Sequence, residues 1–238
     1  MDKKVYCGAM LLASIVSTGC AEQKKVDEQK PNIIYFLVDD MGMGDLSLTG
    51  QKKYETPNID KLAADGMLFT NHYCGTTVSG PSRACLMTGK HTGHTSVRGN
   101  QPGPQLLGDN EATLASVLKG AGYKTAIIGK WGIGHPIPLD DPQRKGFDLS
   151  YGYLNMWHAH NCFPEFLYRN GVKEELTGNK LALAEDGTNP WADMPEGTGV
   201  ARMDARKQYA PDLFEKEALK FISDNKLSLI HISEPTRH

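Results

Sequence analysis

A chain of 238 residues with 39% hydrophobic content can fill one good core. Its formal net charge of −2, from 26 basic and 28 acidic residues, leaves no nucleic-acid footprint and points to no specific partner. Five cysteines without C-x-x-C spacing give no structural metal motif.

The N-terminus runs Met1-Asp2-Lys3-Lys4, an apolar stretch from Val5 to Val16, then Ser17-Thr18-Gly19-Cys20, the three regions of a secretory signal. The stretch is too short to span a bilayer. Gly19-Cys20 is similar to a bacterial lipobox, with Ser17 replacing the usual Leu or Val, which makes Cys20 the site of lipidation. The expected location is the periplasm or cell surface, with membrane contact only through the lipid anchor and plain secretion as the alternative. Residues 21–30 are charged and aperiodic and read as a solvated tether, so the folded domain begins near Pro31. The remaining cysteines, Cys74, Cys85 and Cys162, read as thiols or as one disulfide and one thiol.

Asn32 to Val38 has the continuous apolar character of a strand buried on both faces of a mainly parallel sheet. Asp39 and Asp40 then leave its carboxyl end, where open α/β sheets place ligands. Adjacent carboxylates there call for a cation or for donors, although Asp39 capping a turn at Asp40-Met41-Gly42 is the simpler use of one of them. Thr56-Pro57 starts a helix through Ile59, Leu62 and Ala63 that Gly66 ends, and Met67 to Tyr73 reads as a strand.

Ser79-Gly80-Pro81-Ser82-Arg83 follows. Pro81 suits the first turn of a helix running through Arg83 to Met87, which puts Ser79 at or just before its N-terminus. Free backbone N–H groups, the positive end of the helix dipole and the Arg83 fork then converge on a site for sulfate or phosphate. The plainer alternative is an N-cap serine and a surface arginine. In the polar loop beyond, His94, Arg98 and Asn100 are candidates for lining a sugar pocket, or are ordinary loop polarity.

Asn110 to Leu118 reads as a helix and Lys124 to Ile128 as a strand, the alternation of a parallel sheet. Lys130 follows at the sheet's carboxyl end. Tyr151-Gly152-Tyr153 and Trp157 to Pro164 form a segment rich in aromatics and histidines, with His160 the candidate contact to substrate. His158 and His160 lack a third ligand for zinc. Residues 170–205 read as a long loop over the site, and Pro211 to Asn225 as an amphipathic helix. Residues 227–238 fit no further element and read as a non-native tail, so the core strand due after that helix is expected to be missing.

Ser79-Gly80-Pro81-Ser82-Arg83 with Leu86-Met87-Thr88-Gly89 resembles the signature of the type I sulfatases, in its serine form. Pro31 to Asp40, Thr56 to Ala63 and Gly129-Lys130-Trp131 match in the family's order, so the likeness covers residues 31–170. It implies an α/β, alkaline-phosphatase-like mixed and mainly parallel sheet flanked by helices, incomplete at the C-terminus, with residues 31–226 the N-terminal part of the catalytic domain. It implies that a radical maturase oxidises Ser79 to formylglycine, whose hydrate attacks sulfur and then expels sulfate as the aldehyde re-forms. Cys74 and Cys85 lack Pro at +2 and Arg at +4 and are out of frame.

The resemblance further implies Lys130 as a catalytic contact to the sulfate beside Arg83, and Asp39, Asp40 and residue 79 as ligands of calcium in preference to magnesium; Asn100 and His160, read from the polar loop and the histidine-rich segment, are the substrate contacts expected beside them. The substrate implied is a sulfated glycan or aryl sulfate. Gly132 stands where the family's commonest pattern, Lys-Trp-His, has histidine, so the general base is unassigned, with His135 one candidate. A phosphatase or phosphonate hydrolase of the same fold, and a non-catalytic glycan-binding or inactive fragment, are the alternatives.

Overall fold

The computed structural model describes residues 30–100, 107–133, 141–226 and the backbone of 229–233. The signal sequence with Cys20, the tether up to residue 29, His135, and residues 227, 228 and 234–238 lie outside the described residues.

Among the described residues six strands form one sheet: β1 (Ile33–Phe36), β2 (Lys124–Lys130), β3 (Leu149–Tyr153), β4 (Phe166–Arg169), β5 (Val172–Glu175) and β6 (Leu229–Ser233), in the order β1-β6-β2-β3-β4-β5. The first four in that order are parallel, and β4 and β5 add antiparallel at the far edge. The helices are α1 (Pro57–Asp65), α2 (Ser79–Thr88), α3 (Leu114–Gly120) and α4 (Ala210–Asp224).

Strand alternation divides the core. On β2, Ile127 faces a cluster with Ala84 and Met87 of α2, Ala115 of α3, Trp131 and Phe147. Ala126 and Ile128 face the opposite cluster with Tyr151, Tyr153 and Phe214, Ala218 and Phe221 of α4. Phe214 meets Tyr151 and Tyr153 edge-on, with ring centroids 6.1 and 5.5 Å apart. Burying each such aromatic side chain contributes roughly 2 kcal/mol, so α4 is fixed on the sheet by two or three residues.

Several elements depart from the sequence reading. Strand β1 is not buried on both faces: among the described residues it is an edge strand paired only with β6, and Phe36 is 64% exposed. Met67 to Tyr73 forms no strand, because no described element pairs with it, and its apolar side chains stand in solvent. Helix α3 starts at Leu114 and not at Asn110, since Thr113 and Ser116 form a capping box: Ser116 N donates to Thr113 Oγ1 at 3.0 Å and Thr113 N to Ser116 Oγ at 2.8 Å. The strand expected to be missing after α4 is supplied by Leu229–Ser233, which lies between β1 and β2.

The 170–205 stretch is not all loop. Its first residues complete a β4–β5 hairpin around Asn170-Gly171, both at positive φ (50° and 77°), as a two-residue turn with the right twist requires. Among the described residues, no helix is long and apolar enough to cross a membrane.

Candidate active site

Three segments meet at the carboxyl edge of the parallel strands: residues 37–40 after β1, the N-terminus of α2, and Lys130 at the end of β2. Val78, which precedes α2, holds φ 56° and ψ 156°. That region is nearly reserved for glycine and costs a β-branched residue about 1–3 kcal/mol, so the surroundings hold the turn that aims Ser79.

Helical spacing puts Arg83 one turn after Ser79, and its Nε donates to Ser79 Oγ at 2.9 Å. Its Nη1 donates to the Lys130 carbonyl at 2.8 Å, and Nη2 lies 3.9 Å from Asp39 Oδ2. The same Oδ2 accepts from Lys130 Nζ at 2.7 Å. Arg83 and Lys130 are only 6% and 3% exposed, and two cations so far from water require anionic partners. Burial pushes the Asp39 carboxyl up, but the Lys130 hydrogen bond and the charges of Lys130, Arg83 and His160 outweigh it and hold the group below the ordinary aspartate value.

The expected cradle of free N–H groups at the start of α2 is not what this turn offers. Gly80 N donates to Asn100 Oδ1 at 2.9 Å, Pro81 has no N–H, and Ser82 N donates to the Val78 carbonyl at 3.3 Å. The positive charge at this end of α2 comes instead from the Arg83 and Lys130 side chains. Asn100, read from the sequence as a sugar contact, braces the reactive turn. A Cβ on Gly80 would lie 2.8 Å from that Asn100 oxygen, so the brace depends on glycine.

Gly132 serves the cluster in a second way. It has φ +65°, and a Cβ there would sit 3.0 Å from both Arg83 Cδ and Lys130 Cε. A side chain at this position presses on the two cations, and the backbone conformation disfavours one as well.

The cluster opens into a cavity of about 300 Å³ whose wall includes Asp39, Asp40, Cys74, Thr76, Ser79 and Arg83. Asp39, Asp40 and Ser79 thus present oxygen to one space, which fits a hard cation in kind, though such a cation takes about six to eight oxygens. Among the described residues no three His, Cys, Asp or Glu side chains gather to hold a metal. In formal charge Arg83 and Lys130 are offset by Asp39 and Asp40, so an incoming anion meets no net positive charge unless a divalent cation is held on the two aspartates.

His160 is exposed, and its charge reaches Asp39. His158 points elsewhere: it is fully buried, 5.0 Å from the Tyr153 ring and 4.6 Å from that of Phe166, with neither ring nitrogen hydrogen-bonded. Burial, with Lys173 adding to it and the Phe166 backbone and Glu196 opposing, pushes His158 down to about 3. Arg98 is spent within its loop, donating to the carbonyls of Thr95 and Gly93. The sequence reading missed Gly80 and Gly132 as spacers and Thr76 as cavity wall. The small residue between Ser79 and Pro81 was the available signal for the first.

Residues 31–229 match the family model described as Sulfatase. The chain is 44% identical over 137 residues to the N-acetylgalactosamine-6-sulfatase of Sus scrofa, covering 53% of this chain and 26% of that protein. It is 45% identical over 123 residues to the N-acetylgalactosamine-6-O-sulfatase of Bacteroides thetaiotaomicron, covering 49% and 24%. A solved structure from Bacteroides thetaiotaomicron, described with that organism's metabolism of multiple glycosaminoglycans, superposes with a TM-score of 0.67 at 28% identity, over 87% of this chain and 50% of that one. The chain therefore spans about a quarter of the length of the curated relatives it matches. Its fold is the α/β, alkaline-phosphatase-like class that the sequence implied.

Proposed function

The chain belongs to the sulfatase family, and from that membership we propose that it hydrolyses a sulfate ester on a sulfated carbohydrate, with residue 79 as nucleophile in the formylglycine form. The observation that carries this reading is the convergence of Ser79, Arg83 and Asp39 on one cavity, with Lys130 behind it paired to Asp39. An unmodified serine here would take up the sulfuryl group as a stable serine sulfate ester, with no second hydroxyl to expel it, which is why oxidation by a radical maturase belongs to the proposal.

Arg83 orients the oxygen on residue 79 and, with Lys130, neutralises the sulfate oxygens as charge builds on them. Lys130 reaches the sulfate by exchanging its contact with Asp39 for one with the ester. Asp39 and Asp40 are the residues that would hold calcium, which when bound polarises a sulfate oxygen and makes the nucleophile more acidic. In this reading His160, whose charge reaches Asp39, contacts the substrate or its leaving oxygen. Export, with lipidation at Cys20 tethering the chain to the cell surface, completes the reading.

Sulfate release from N-acetylgalactosamine 6-sulfate, measured with the full chain co-produced with a serine-type maturase, tests the proposal. Release that depends on Ser79 and calcium supports it. Release of phosphate but not sulfate from matched esters would transfer the site to phosphatase chemistry.

A further inference from the structure

A second cavity lies on the same edge of the sheet. Strand β4 runs antiparallel to β3, so its first residue, Phe166, stands beside the carboxyl ends of β2 and β3. Strands lie about 4.8 Å apart, so the two steps from β2 place β4 about 10 Å from the strand that carries Lys130. There a cavity of about 210 Å³ is walled by Phe166, Leu181, Asn189, Trp191, Glu196 and Thr198, among others.

The wall is held in shape. Leu181 bridges to Ala201, Asn189 Oδ1 accepts from Trp191 N at 2.9 Å, and Glu196 pairs with Lys173 and accepts from Tyr168 Oη at 2.7 Å. Asn155 Nδ2 donates to the Glu196 carbonyl at 2.9 Å, and the buried His158 packs against Phe166 and Gly197. The segment that carries Asn155 and His158 ends in His160, whose charge acts on Asp39. The wall and the reactive cluster are thus joined through one short run of chain.

The Phe166 ring is already packed against His158 and has Lys173 Nζ over it at 4.6 Å, so the Trp191 ring, beside carboxylate, amide and hydroxyl groups, is the one that suits a ligand with an apolar face and a rim of hydroxyls, which is the chemistry of a sugar ring. We propose that this cavity binds a sugar unit of the same oligosaccharide whose sulfate ester occupies the Ser79 site, two to four strand spacings, about 10–19 Å, from the cleaved ester. The inference rests on the sulfate-ester reading above. It makes the protein a reader of glycan length as well as of sulfate.

Calorimetric titration of the full chain tests this with three probes: N-acetylgalactosamine 6-sulfate, a tetrasaccharide ending in that unit, and the same tetrasaccharide without sulfate. The expected result is about tenfold tighter binding of the sulfated tetrasaccharide than of the monosaccharide, lost in Trp191→Ala with the monosaccharide unaffected. Ala192→Trp, which fills the cavity from an exposed position, should lose the same advantage without removing a packed side chain. Equal binding of the two sulfated probes, or an advantage that both variants keep, overturns the proposal. Binding of the desulfated tetrasaccharide that is sensitive to Trp191→Ala, in a chain that releases no sulfate, supports the cavity and overturns the hydrolase reading alone.

Discussion

Arg83 Nε donates a 2.9 Å hydrogen bond to Ser79 Oγ, so the buried guanidinium and the reactive position move as one unit on the first turn of α2. The other arm of the fork reaches the Lys130 carbonyl across the sheet edge. A lysine at 83 keeps the charge but has no fork to span both. Arg83→Lys should therefore lower kcat by about 100-fold with a circular dichroism spectrum like that of the parent. Undiminished turnover in this variant would remove Arg83 from the reacting cluster.

Asp39→Asn leaves Lys130 buried without its carboxylate. Because Asp39 is a quarter exposed, the expected cost is roughly 2 kcal/mol, below that of a fully buried pair, and it is read as a lower urea midpoint. The carboxyl is held below 3.8 in the folded chain, so its contribution is present above that value and is lost as pH falls through the lowered one. The parent should thus lose stability through this window while Asp39→Asn shows no such step.

Gly132→Ala puts a methyl 3.0 Å from Arg83 Cδ and Lys130 Cε at φ +65°. The backbone penalty is about 1 kcal/mol. Both neighbours are flexible side chains and will yield, so activity should fall further than stability does. A variant as active as the parent would mean that these two cations tolerate displacement.

His158 has the opposite sign of pH dependence to a paired histidine. Its folded value of about 3 lies below the ordinary 6.5, so the unfolded chain binds the extra proton and stability falls as pH drops from 6.5 towards 3. At pH 5 the loss is roughly 2 kcal/mol. His158→Phe, which keeps an aromatic ring between Tyr153 and Phe166, should flatten this part of the stability profile. An unchanged slope would place the acid-sensitive group elsewhere.

Calcium should raise the thermal midpoint of the parent, and Asp40→Asn should reduce that gain severalfold. Asp40 is exposed, so the variant is expected to fold normally in the absence of metal. An identical calcium response in both would exclude Asp40 as a ligand.

Much of the reactive cluster was legible because its spacing is local. Ser79 and Arg83 stand one helical turn apart, Asp39 follows β1 and Lys130 ends β2, so a helix period and the strand-end rule bring them to one edge. Their pairing was not legible: Asp39 and Lys130 are 91 residues apart in sequence and meet only through the strand order β1-β6-β2. Local signals were also misread. Asn170-Gly171 is a hairpin turn that the many glycines and prolines after it disguised as loop, and Thr113-x-x-Ser116 outcompeted Asn110 as the start of α3. Apolar character alone made a strand of Met67 to Tyr73, but a strand needs a partner, and the described residues supply none.

The central claim is that residue 79 is the modified nucleophile. Peptide mass spectrometry of the full chain, co-produced with a serine-type radical maturase, examines it at the peptide that contains Ser79-Gly80-Pro81-Ser82-Arg83. The account predicts a loss of two hydrogens at Ser79, accompanied by sulfate release that Ser79→Ala abolishes. An intact serine at 79 in a chain that still releases sulfate would contradict it.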